Sequence, residues 1–134
     1  MLQQPQYKIN LTDTVLLIID PQKAFGEIIP VPNYEPALRN ILSLSKAWKN
    51  AGGKVIVTRH VYKNKAEVGR IINFLPGVGD LLKDDSPNAN FHDGISVDTV
   101  ISKSRFNALL GTDLEVRSDL GGPRSEQGRG VAHW

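Results

Sequence analysis

"TVLLIIDPQKAF", residues 14–25, sets six apolar or β-branched residues without a break against an aspartate and a proline. A strand with one wet face would alternate polar and apolar residues. A continuous run instead suits a strand covered on both faces, as in the middle of a parallel sheet. Asp20 then stands at the carboxyl end of that strand, which is where open parallel sheets bind ligands. An aspartate before proline is also a common turn residue, so position alone leaves Asp20 either ligand-facing or purely local.

Downstream, Asn33 is placed to cap a helix whose apolar residues Leu38, Ile41, Leu42 and Trp48 recur at helical spacing and which Gly52 and Gly53 end. "KVIVTRH", residues 54–60, is a second β-branched run, and the order strand, helix, strand implies a right-handed parallel crossover. Residues 63–97 are less regular, with a short helix expected at "AEVGRIINF" and a long loop after it. "DTVIS" supplies a third strand, and Thr112 and Glu115, in capping-box spacing, open a short helix that Gly121 ends. The expectation is an α/β fold, a three-layer α/β/α sandwich around a parallel sheet. "GGPRSEQGRGVAHW", residues 121–134, has four glycines and little to bury, so no fourth strand is expected from it. Residues 1–121 read as part of a single domain and 122–134 as an atypical tail.

Composition narrows the function classes. The chain has 134 residues, 40% hydrophobic and 22% charged, which excludes collagen-like and mostly disordered classes. A net charge of +2 from interspersed acids and bases gives no nucleic-acid footprint. "MLQQPQYKIN" lacks the pattern of a signal peptide, and no apolar run reaches the roughly 18 residues of a membrane span. A cytoplasmic protein without a membrane partner is therefore expected. There is no cysteine, which removes disulfides, thiolate-bound zinc and any thiol nucleophile.

Lys103 ends the third strand in the same sense as Asp20 ends the first, so a parallel sheet brings the ammonium and the carboxylate to one rim. Such a pair can orient a third group or exchange protons with a substrate, or it can be a plain structural ion pair. His60 ends the second strand and is either a substrate-binding group or a local hydrogen-bonding one. His60, His92 and His133 have no partners at metal-ligand spacing, so no metal or other cofactor is expected. "DPQKAFGE" is not a G-x-G-x-x-G turn, "PGVGD" lacks the residues of a phosphate-binding loop, and no G-x-S-x-G elbow occurs.

Taken in order, "LLIIDPQKAF", "KVIVTRH" and "VISKSRFNALLGTDLE" resemble the isochorismatase-like, or cysteine hydrolase, family over residues 13 to about 121. The resemblance implies a Rossmann-like sheet and makes Asp20 the catalytic base, with Gln22 and Phe25 beside the pocket. It maps Lys103 onto the second member of the triad, residues 105–110, including Arg105 and Phe106, onto the adjoining loop, and His60 onto a pocket position. Family members are intracellular hydrolases of small amides, vinyl ethers and related molecules, and often form dimers or tetramers. In the family a fourth strand then leads to G-x-x-T-x-x-C-V, whose cysteine is the nucleophile; here the glycine-rich tail stands in that place. The implied sheet order, 3-2-1-4-5-6, would leave a chain truncated after its third strand and helix with strand 1 as an open edge, prone to pair with another copy.

Three functions follow as expectations. The first is a hydrolase of this ancestry acting on a C–N or C–O bond of a small molecule, impaired because the nucleophile is absent. The second is a non-catalytic binding or oligomerisation module on the same fold. The third is a hydrolase in which Asp20 and Lys103 activate water directly, with His60 carrying protons.

Overall fold

A computed structural model of the protein describes residues 8–118 and 130–133. Strand β1 (Thr14–Ile18) is followed by a kinked turn α1 (Ala24–Glu27), the long helix α2 (Tyr34–Asn50) and strand β2 (Lys54–His60). The short helices α3 (Lys65–Val68) and α4 (Val78–Leu81) precede β3 (Thr99–Lys103), α5 (Leu114–Ser118) and β4 (Gly130–His133). All strand pairs are parallel, in the order β3-β2-β1-β4.

The unbroken apolar run of β1 is explained by two cores, one on each face of the sheet. Leu16 and Ile18 join Val55, Val57 and Trp48 on one side, with Ile41 and Leu44 of α2 packed against them. Val15 and Leu17 join Ile56, Ile101 and Leu114 on the other, under α5. Successive strand residues point to opposite faces, so both sets must be apolar, and each fully buried Leu, Ile or Val contributes about 1.5–3 kcal/mol. The three-layer α/β/α expectation is met. In β3 only one face is covered: Ile101 is buried while Val100 is exposed, as befits an edge strand.

Helix α2 ends as its glycines imply. Gly52 has φ +88° and donates to the Lys49 carbonyl, while Gly53 donates to the Trp48 carbonyl, the paired bonds of a Schellman motif. Gly53 is also required by packing, since a Cβ there would lie 2.3 Å from Trp48 Nε1. The other end departs from expectation. Asn33 does precede the first turn, but at φ +57° its side chain makes no capping bond.

Two further expectations need correction. The chain does supply a fourth strand: Gly130–His133 pairs with β1 from Thr14↔Gly130 to Leu17↔His133. A ladder is built by main-chain N–H and C=O groups, so four residues suffice even where the sequence is rich in glycine, and β1 has a second row of such groups to satisfy. Strand β1 is therefore internal, not an open edge, and the sheet does not stop at the third strand. The long loop expected after "AEVGRIINF" contains α4, while the short helix expected at that stretch is present as α3. Asn64 accepts from the Glu67 N–H at 3.2 Å and Glu67 accepts from the Lys63 N–H at 2.7 Å, starting α3. At α5, Thr112 Oγ1 donates to the Ala108 carbonyl and accepts weakly from Leu114 N–H at 3.4 Å. The Gly121 stop and the boundary at 121/122 lie outside the described residues. Among those residues no helix is long and apolar enough to cross a membrane.

Candidate active site

The parallel register aligns the three strand ends. His60 lies directly opposite Lys103 on adjacent strands, so their side chains share a face. Lys103 Nζ, almost wholly buried, sits 2.9 Å from Asp20 Oδ2, 3.0 Å from His60 Nδ1 and 3.1 Å from the Arg105 carbonyl. Asp20 itself is held in a left-handed backbone conformation, φ +52°, immediately before Pro21. That conformation is strained by roughly 1–3 kcal/mol for a residue other than glycine and persists only where the surroundings impose it. Thr58 imposes it from β2: Asp20 N–H donates to Thr58 Oγ1 at 3.1 Å, and the Thr58 hydroxyl donates to Asp20 Oδ1 at 2.7 Å.

These contacts determine where the protons are. An ammonium has three donors and no acceptor, and Lys103 faces three acceptors: a carboxylate, an imidazole nitrogen and a carbonyl. His60 Nδ1 must therefore accept, which puts the imidazole proton on Nε2. That N–H donates to the Tyr62 hydroxyl oxygen at 2.9 Å. The result is a ladder ordered from Asp20 through Lys103 and His60 to Tyr62.

Burial, then the neighbouring Lys103 ammonium, push the His60 pKa below its ordinary 6.5, against the opposing pull of Asp20. In the unfolded chain His60 takes a proton near pH 6.5, whereas folded it resists until the pH is lower. Folding stability from this group is thus full above about pH 6.5 and is lost as the pH falls through the folded value. Burial shifts His92 the same way. The expected result is a urea midpoint that drops between pH 7 and 5, with His60 ring resonances titrating below 6.5; replacing His60 with glutamine should flatten the drop. Unshifted titration at 6.5 would contradict the buried ladder.

A cavity of about 230 Å³ opens beside His60, with Tyr62, Arg70, Arg105 and Phe106 among its walls. The Phe106 ring is 6.1 Å from that of His60 and mostly exposed. Arg105 reaches the Glu67 and Ser104 carbonyls through Nη1. Of the residues expected at the site, Asp20, Lys103 and His60 come together, and Arg105 and Phe106 line the adjoining cavity.

Gln22 is different. Its side chain is fully buried and spent on backbone, accepting from the His60 N–H at 2.7 Å and donating to the carbonyls of His60 and Ala89 at 3.0 and 2.9 Å. It is a clamp beneath the site. Phe25 packs against a cluster of Ala24, Tyr62, Val68, Val78 and Leu82, of which Tyr62 and Val68 also line the cavity. Sequence reasoning passed over Thr58, Tyr62 and Arg70. The first two were within reach, because residues 58, 60 and 62 alternate on one face; nothing local marks Arg70. No group of three or more His, Asp or Glu residues that could hold a metal occurs among the described residues.

Comparison with known proteins agrees with the fold. A family model described as an isochorismatase domain matches residues 14–117. Among solved structures, a cysteine hydrolase from Pseudomonas syringae pv. phaseolicola 1448A superposes with a TM-score of 0.68 at 23% identity, over 87% of this chain and 59% of that one. A putative hydrolase of the isochorismatase family from Chromobacterium violaceum ATCC 12472 gives 0.64 at 22% identity, covering 86% and 55%. An isochorismatase family protein from Desulfovibrio vulgaris subsp. vulgaris str. Hildenborough gives 0.64 at 23%, covering 78% and 60%. The chain thus spans about three-fifths of the length of these structures. No curated protein matches its sequence.

Proposed function

Because the chain belongs to the isochorismatase domain family, we propose that its strand-end site binds a small molecule of the amide or vinyl-ether type, with Asp20 as proton acceptor and Lys103 beside it. We propose further that the 134-residue chain does not turn that molecule over through a covalent thiolate intermediate. The observation that carries the reading is the ladder from Asp20 to Tyr62, which ends at a cavity of small-molecule size.

Thiolate catalysis needs a sulfur, and the 134 residues contain none. Asp20 can still take a proton and Lys103 can still hold a polar group, but loss of an activated nucleophile commonly costs several orders of magnitude in rate. The reading as an assembly module drew on an open β1 edge, and that argument does not apply where β4 pairs with β1.

The test is turnover of primary aryl amides such as nicotinamide by the purified chain, read as ammonia release. The expected rate equals that of the Asp20→Asn variant. Hydrolysis well above that background, abolished by Asp20→Asn, would overturn the impairment and favour direct activation of water.

A further inference from the structure

The cavity beside His60 carries charge of one sign. Arg70 and Arg105 line it, and no carboxylate among the described residues does. The exposed side chain of Arg70 has no hydrogen-bond or ion-pair partner among the described residues, and only one nitrogen of the Arg105 guanidinium is engaged, by backbone carbonyls. Tyr62, 3% exposed, adds a donor of another kind. Its oxygen already accepts from His60 Nε2–H, so its own proton is the one hydrogen in the ladder with no acceptor among the described residues. A buried hydroxyl beside two guanidinium groups is best matched by an oxygen that bears negative charge, because a charge-assisted bond is roughly twice as strong as a neutral one.

Size limits the remainder of the ligand. At about 230 Å³ the cavity falls below the range of about 300–1,000 Å³ typical of drug-sized sites. The exposed Phe106 ring provides one flat wall, with the His60 ring inclined at 46° to it. We infer that the cavity takes a small planar organic anion, one ring with a carboxylate-like head whose oxygens accept from the Tyr62 hydroxyl and the Arg70 guanidinium while the ring lies against Phe106. This deepens the proposed function and rests on the cavity being its ligand site. Tyr62 and Arg70 become the specificity-determining residues, one selecting an acceptor and the other its charge.

Benzoate and benzamide share a ring and nearly a shape but differ in charge, and serve as probes. Titrated into the isotope-labelled chain and followed on the His60 ring and the Phe106 amide, benzoate is expected to bind at least fivefold more tightly. Arg70→Met, a change at an exposed position, should remove that advantage and leave benzamide within twofold. Tyr62→Phe should weaken benzoate about tenfold. In that variant His60 should keep its Nε2–H tautomer in the ring-nitrogen spectrum, because Lys103 sets it from the other side; the loss is then one of ligand contact and not of structure. Equal binding of the two probes would overturn the charge selection while leaving a ligand site at His60 standing. If neither probe moves His60 the inference falls with it, whereas the impairment of turnover is decided by the amide assay alone.

Discussion

Gln22→Met should destabilise the protein by about 3 kcal/mol or more, although the substitution nearly conserves volume and removes no charge. The reason is what the amide satisfies: the His60 N–H, the His60 carbonyl and the Ala89 carbonyl, all in a place with no access to water. Each buried backbone group left without a partner costs about 1–3 kcal/mol, and methionine can partner none of the three. Against a total stability of about 5–15 kcal/mol for a domain, that is a large fraction. Urea denaturation would read it as a lower midpoint at unchanged slope. A loss under about 1 kcal/mol would mean that the clamp is dispensable and that other groups relax to replace it. The same substitution should loosen the His60 strand end, and so broaden the His60 ring resonances before the protein unfolds.

The clamp also illustrates which features could be read in advance. Strand β1 announced itself because burial on both faces demands an unbroken apolar run, and the end of α2 because only glycine takes the αL position of its cap without strain. Asp20 and Lys103 were predictable as neighbours because parallel strands deliver their carboxyl ends to one rim. Gln22 was not, since its partners lie 38 and 67 residues away and nothing local separates a buried clamp from a pocket residue. Strand β4 escaped for another reason: its pairing rests on main-chain groups, which leave no periodic trace in four residues. The start of α3 was in principle visible in the N-x-x-E spacing of residues 64–67, hidden among turn formers. Tyr62, two residues beyond His60, extends the strand's alternation past its formal end, so period alone could have proposed it.

Asp20→Asn is expected to cost about 3 kcal/mol, and adding Lys103→Met should return about 2 kcal/mol of that loss. Asparagine tolerates the left-handed conformation and can keep the bond with Thr58, so the single substitution isolates the charge. It leaves the Lys103 ammonium, 2% exposed, without its carboxylate. Removing one partner of a buried pair typically costs about 3–5 kcal/mol, and the low end applies here because an amide oxygen still accepts from the ammonium. Replacing both charges removes the stranded cation as well, and buried pairs exchanged for apolar groups are often nearly neutral. The double variant should therefore be more stable than Asp20→Asn alone, and because Lys103→Met by itself also strands a partner, the coupling energy from the full cycle of denaturation curves should exceed about 2 kcal/mol in magnitude. Simple additivity would sink this account of the pair. The expected coupling has a functional meaning too. A backbone held at φ +52° and a desolvated ion pair that an apolar pair could replace are features the fold does not require. On the function proposed above, their presence at the rim of the sheet, joined through His60 and Tyr62 to a positively charged cavity, is accounted for by what they would do to a ligand and not by what they add to stability.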